Sequence, residues 1–239
     1  AGGIDPDEDV RLVVLPPPYM VDSLANGQVD GFCVGAPWNS VAVESGFGRI
    51  LHFSCAIMAR TSEKVLAVRE PWANANPETL AALLQALTDA GNFISDSANQ
   101  HAVAVSLSRR FDVDAEVIAR TLAGNLKLAT DGAERSDRRY LMISGPDANR
   151  PDPVQAAWLY AQIARWQQAP LSDEMRIAAQ AVFRSDIYDA AIGAAPCKPE
   201  PFDGVGAFVG PQFDADDVAG YVASWRGKHE PALPMRVVR

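Results

Sequence analysis

The sequence has 239 residues, of which 48 % are hydrophobic and 21 % charged, and its formal net charge is −9 at pH 7. This length and composition predict a globular chain with a sizeable core, built as one large domain or two lobes. Its Lys and Arg residues are scattered, which argues against nucleic acid as a direct partner, and no apolar run approaches the roughly 18 residues of a membrane span. A small anion is still compatible with this charge, because a few local donors decide its binding.

The first part of the chain alternates between predicted strands and helices. A β-branched run over 11–15 ends at three prolines, a short helix follows over 19–26 and closes at Gly27, and a second apolar run covers 29–34. Two strands joined by one helix predict a βαβ unit of a parallel sheet. The alternation continues with a helix over 40–44 and with strands over 49–53 and 64–68.

The later part of the chain is predicted to be helical. Apolar residues at helical spacing and capping residues predict helices over 78–94, 96–109, 114–122, 154–167, 172–183, 186–192 and about 216–225. The stretch 127–153 is predicted to be a long loop. The opening AGGIDPDEDV is typical of a helix end, so we expect the chain to be a piece of a longer protein.

The turn after the second predicted strand is the best candidate site. Gly35 allows close backbone approach, Trp38 offers an indole N–H, and Asn39 and Ser40 can cap a helix or donate hydrogen bonds. A helix start also presents unpaired backbone N–H groups to an anion. The alternative is a simple turn from strand to helix, with Trp38 filling the core.

A cation and a cysteine complete the list of candidate residues. Lys64 starts the strand KVLAVRE and is placed to neutralise a monoanion; the alternative, which the sequence alone favours, is that Glu63 and Lys64 form a solvated pair at a strand edge. Cys33 is interpreted as a small buried strand residue. The three cysteines and three histidines lack metal-ligand spacing, so neither a metal site nor a disulfide framework is expected. No nucleophile elbow, P-loop or dinucleotide fingerprint is present, so we expect no cofactor and no enzymatic activity.

Four segments give the sequence a family resemblance. The stretch PPPYMVDSLANGQVDGFCVGAPWNSVAVESGFG, the stretch EKVLAVREPWANANPETLAALLQAL, and the pair NRPDPVQAAWLYAQIARWQQ and FRSDIYDAA together resemble the solute-binding proteins of nitrate and bicarbonate ABC transporters. The related cytoplasmic nitrate sensors share these features. The resemblance implies an α/β, type 2 periplasmic-binding-protein-like fold, with a parallel-sheet lobe and the helices of a second lobe.

The resemblance also implies a domain division, a site and partners. Residues 1–60 would be the second-lobe sheet segment with the anion-site turn, and 61–239 would cross back to the first lobe and form the helical region. The N-terminal part of lobe one would be missing, so the missing N-terminal segment of the same protein is an expected partner. The expected ligand, most simply nitrate but also nitrite or bicarbonate, would lie in an interlobe cleft against these residues: Gly31, Cys33, Gly35, Trp38, Asn39 and Lys64.

Three functions follow as alternatives. A transport protein would hand its anion to an ABC permease and would be periplasmic. A nitrate sensor would be cytoplasmic and would regulate an RNA-binding antiterminator; an export signal upstream would separate the first from the second. An enzyme of thiamine-precursor type would need a nucleophilic cysteine, for which Cys33 is the only candidate.

Overall fold

The computed structural model describes residues 4, 8–60, 62–193 and 205–226, and within them helices predominate. Contacts divide the chain into two compact units, which we call unit 1 (residues up to 51 with 97–141) and unit 2 (52–96 with 142–234, as far as described). The sequence-based division into residues 1–60 and 61–239 concerns the lobes of the complete protein and stays a prediction. The predicted helix end at the start of the chain, and Cys197, lie outside the described residues.

The helices of the described residues agree with the predicted ones and add two short ones. In chain order they are α1 Met20–Ala25, α2 Trp38–Glu44, α3 Glu70–Ala75, α4 Pro77–Ser95, α5 Gln100–Phe111, α6 Ala115–Ala123, α7 Pro146–Asn149, α8 Pro153–Arg165, α9 Asp173–Val182, α10 Ser185–Ile192 and α11 Val218–Arg226. Their ends follow the capping residues. Asp114, Asp152 and Ser172 each accept a backbone N–H of the helix that follows. Gly124 and Gly193 end α6 and α10 with positive φ.

The predicted strands are wrong as hydrogen-bonded elements. Within the described residues, the two strands are β1 Asn125–Lys127 and β2 Glu134–Ser136, an antiparallel pair inside or beside the predicted loop. The stretches 11–15, 29–34, 49–53 and 64–68 belong to no ladder. Alternation and β-branching predict an extended backbone, but a strand also needs a neighbour to pair with. Val14 is accordingly 98 % exposed and Leu12 79 % exposed.

Each unit has its own apolar cluster. In unit 1, α5 packs on α6 around Ala104, Val117 and Ile118. In unit 2, the small residues of α8 let α11 approach closely, so that Tyr221 and Val222 are buried against it. No helix in the described part of the chain is both long enough and apolar enough to span a membrane.

Candidate functional site

The candidate turn lies in unit 1 and leads into α2. Gly31 and Cys33 are exposed on the extended segment, whereas Gly35, Trp38 and Asn39 are half-buried. The interpretation of Cys33 as a buried strand residue is wrong: Cys33 is exposed, and no strand among the described residues pairs with its segment. The turn itself includes a cis Ala36–Pro37 peptide bond.

The start of α2 leaves backbone donors available. Pro37 is the N-cap residue and makes no side-chain cap. The Ser40 N–H donates to Asn39 Oδ1 at 3.0 Å and the Val41 N–H donates to the Pro37 carbonyl at 3.1 Å. No partner for the N–H groups of Trp38 and Asn39 is found among the described residues. Two such donors at a helix start favour a negative charge in front of them.

Two polar groups beside these donors shape the turn further. Asn39 Nδ2 donates to the Tyr140 hydroxyl at 2.8 Å, which fixes the orientation of the Asn39 amide. Ser40 is buried, and its hydroxyl has no hydrogen-bond partner in the described part of the chain. Tyr140 was missed from the sequence because it follows Asn39 by 101 residues, and no local spacing connects two residues so far apart.

Trp38 has a structural role that the alternative interpretation anticipated. Its half-buried ring packs against the α5 and α6 cluster, which includes Val113 and Val117. The other end of α2 is held by Glu44, whose carboxylate pairs with Arg120 and, at 3.1 Å, with Lys127. The turn is therefore mounted on a helix that is fixed by apolar packing at its start and by ion pairs at its end.

Lys64 lies in unit 2 and projects into solvent. Its side chain is 85 % exposed, and its ammonium group is 3.4 Å from Glu63, a weak exposed pair. The chain just before it is anchored. Arg60 pairs with Asp152, and the Ser62 hydroxyl donates to Gln155 of α8. These contacts leave Lys64 as an accessible cation close to a fixed point of the chain.

Two arginines of unit 2, Arg150 and Arg184, bind carboxylates. Arg150 donates two hydrogen bonds of 2.7 Å to Asp189, which lowers the pKa of the Asp189 carboxyl and raises the pKa of Arg150. Arg184 binds Asp186 in the same bidentate way and lowers the pKa of that carboxyl. Among the described residues, no cluster of three His, Cys, Asp or Glu side chains is arranged to hold a metal ion.

Several known proteins are similar to this chain in sequence. A family model described as the NMT1-like family matches residues 1–108. The nitrate/nitrite-binding protein NrtA of Synechococcus elongatus is 30 % identical over 81 % of this chain and 44 % of its own length. The bicarbonate-binding protein CmpA of the same organism is 29 % identical over 70 % of this chain and 38 % of its own length.

A solved structure supports the fold. The crystal structure of the periplasmic nitrate-binding protein NrtA from Synechocystis PCC 6803 matches 93 % of this chain with a TM-score of 0.83 and 26 % identity. The chain is a homologue of the nitrate- and bicarbonate-binding proteins of ABC transporters. The predicted resemblance and the mixed α/β, periplasmic-binding-protein fold class are therefore confirmed.

These homologues are larger than the chain. It spans 60 % of the solved NrtA chain, and 44 % of the NrtA and 38 % of the CmpA of Synechococcus elongatus. It also matches 34 % of the nitrate import ATP-binding protein NrtC of Synechocystis, at 30 % identity over 93 % of this chain. NrtA and CmpA are named as binding proteins, which supports the expectation of a protein without catalytic activity. The six site residues stay a prediction.

Proposed function

We propose that the chain belongs to the solute-binding component of a nitrate-type ABC transport system and binds a small planar oxyanion, most simply nitrate. The observation that carries the proposal is the pair of N–H groups at Trp38 and Asn39, for which the described residues offer no acceptor, in a chain homologous to nitrate-binding proteins. Nitrite and bicarbonate are the other two candidate anions, and their affinities should be compared with that of nitrate. An ABC permease is the proposed recipient of the anion.

The proposed ligand contacts divide into backbone and side-chain donors. Gly31, Cys33 and Gly35 contribute a segment of backbone that an anion can approach closely. Trp38 supplies an indole N–H and a flat wall, and Asn39 supplies amide hydrogens from a side chain that Tyr140 orients. Lys64 supplies the positive charge, for which its exposed ammonium group is available.

A variant of Trp38 tests this assignment. Because the ring packs against the unit 1 cluster, Trp38→Phe retains most of the packing and removes the indole N–H. We expect nitrate affinity, measured by calorimetry on the protein in its complete two-lobed form, to fall several-fold while the circular dichroism spectrum stays unchanged. Trp166→Phe, at an exposed position of unit 2, is the matched control. Equal nitrate affinity in wild type and Trp38→Phe would assign Trp38 to packing alone.

The match to NrtC supports a second proposal for the kind of protein to which this chain belongs. A segment like this chain also occurs within a protein named as a nitrate import ATP-binding protein, so the chain can belong to such a subunit. The contiguous reading frame distinguishes the two placements. A P-loop motif in it favours the ATP-binding subunit, whereas an export signal favours a separate periplasmic binding protein. A plain cytosolic start without a P-loop favours the nitrate sensor.

A further inference from the structure

The chain just before Lys64 is held in unit 2 by a second piece of backbone. Residues 57–59 run antiparallel to residues 206–208 and exchange backbone hydrogen bonds with them. The Ala59 N–H, for example, donates to the Gly206 carbonyl at 3.0 Å. Because both partners of each bond are backbone groups, the course of the chain through residue 59 does not depend on any single side chain.

Two side-chain contacts with the start of α8 extend this held stretch to Ser62. Arg60 pairs with Asp152, the residue that caps α8. The Ser62 hydroxyl donates a hydrogen bond to Oε1 of Gln155, a residue that is 6 % exposed. The acceptor is therefore a buried group on a packed helix, and a buried acceptor is costly to leave without a donor. This hydrogen bond holds Ser62 against α8.

Beyond Ser62, the residues that the structure describes provide no further anchor before Lys64. No backbone hydrogen bond joins residues 63–68 to any of them. The Lys64 side chain is 85 % exposed, and its ammonium group lies 3.4 Å from Glu63 in an exposed pair. The lysine is therefore attached shortly after a fixed point of the chain, and the length of chain between the two limits how far its ammonium group can move.

We propose that Ser62 is a positioning residue for Lys64, and that its hydrogen bond to Gln155 restricts the region in which the Lys64 ammonium group moves before an anion binds. The proposal rests on the proposed function, in which Lys64 supplies the positive charge. Neither Ser62 nor Gln155 contacts the anion, and both act through Lys64. A segment that is already held loses less conformational freedom when its cation binds, and ordering one flexible side chain weakens affinity by about two- to tenfold.

Calorimetric titration of the full-length protein with nitrate measures this contribution. Ser62→Ala removes the donor and is expected to lower the nitrate affinity about three- to tenfold. Ser62→Thr keeps a hydroxyl at the same position and is expected to retain an affinity within about twofold of wild type. Ser224→Ala is the matched control, because the Ser224 hydroxyl also donates a hydrogen bond in unit 2, to the Tyr221 carbonyl at 2.6 Å. This control is expected to bind nitrate like wild type.

The mobility of Lys64 in the protein without nitrate separates positioning from a general loss of structure. We expect 15N relaxation to give a lower order parameter for the Lys64 amide in Ser62→Ala, by about 0.1–0.2, and an unchanged value in Ser62→Thr and Ser224→Ala. Circular dichroism checks that each variant is folded. Folding is expected in Ser62→Ala because Ser62 is only half-buried and residues 57–60 keep their own contacts.

Three results would overturn the proposal. The first is a folded Ser62→Ala variant that binds nitrate as tightly as wild type. The second is a loss of affinity in Ser62→Ala without greater mobility of the Lys64 amide, or an equal loss in Ser224→Ala. The third is a Lys64→Ala variant that binds nitrate like wild type, which would remove the role of Lys64 on which the proposal rests. If Lys64→Ala lowers the affinity and Ser62→Ala does not, the positioning role alone is refuted and the proposed function stands.

Discussion

Asp152 has two structural roles, a helix cap and an ion pair, and different substitutions remove one or both of them. Its Oδ1 accepts the Val154 N–H at 2.9 Å and caps α8, while its other oxygen pairs with Arg60. An N-cap substitution to Ala costs about 1 kcal/mol, and Asn is as good a cap as Asp. Asp152→Asn therefore removes the ion pair alone, whereas Asp152→Ala removes the ion pair and the cap.

The free energy lost when this ion pair is removed depends on how far its two side chains are buried. The Arg60 and Asp152 side chains are 14 % and 21 % exposed, between a surface pair worth about 0–1 kcal/mol and a buried pair whose disruption costs about 3–5 kcal/mol. We expect Asp152→Asn to lower the free energy of unfolding by about 2 kcal/mol and Asp152→Ala by about 3 kcal/mol.

Urea unfolding at pH 7, followed by tryptophan fluorescence, measures both values. The control is Asp186→Asn, because the pair of Asp186 with Arg184 is exposed and is expected to contribute less than about 0.5 kcal/mol. An Asp152→Asn variant as stable as wild type would refute the reasoning about the ion pair. Equal losses in the two Asp152 variants would refute the reasoning about the cap.

Three further predictions concern packing, one hydrogen bond and pH. Gly91→Ala should cost about 1–3 kcal/mol, because its Cβ would lie 2.8 Å from the Ile143 carbonyl oxygen, whereas Gly31→Ala, with open space around it, should be neutral in the same urea assay. Tyr140→Phe should cost about 1 kcal/mol by removing the acceptor of Asn39 Nδ2; an unchanged midpoint would contradict this. The hydrogen bond with Arg150 lowers the pKa of Asp189, so the ionised carboxylate stabilises the folded state above the ordinary pKa of Asp, and this stabilisation is lost as the pH falls through the lowered pKa. The difference in unfolding free energy between wild type and Asp189→Asn should therefore be present at pH 6 and vanish in acid. A difference that does not change with pH would contradict this.

Local rules predicted the helices well because their causes are local. Asp114 before α6 and Ser172 before α9 are capping residues in the sequence and in the structure. The strand predictions were wrong because a β-strand forms only where another strand is present to pair with it. Residues 64–68 have the composition of a strand, but no described segment pairs with them.

The candidate site likewise has one part that local sequence predicts and one part that it does not. The sequence predicts a helix over 40–44 after the candidate turn, and in the structure this helix, α2, begins two residues earlier, at Trp38. Its hydrogen bond from Asn39 to Tyr140 joins residues 101 positions apart, and the contact of Arg60 with Asp152 joins residues 92 apart. Such pairings depend on how the elements pack, which no local pattern encodes.

Calorimetric titration with nitrate tests the central claim most directly. The sample is the full-length protein. Nitrate is expected to bind with 1:1 stoichiometry, and Lys64→Ala is expected to lower its affinity at least tenfold, while Arg135→Ala, an exposed arginine beside Asp137, leaves it unchanged. A folded, full-length protein that binds neither nitrate, nitrite nor bicarbonate would contradict the account.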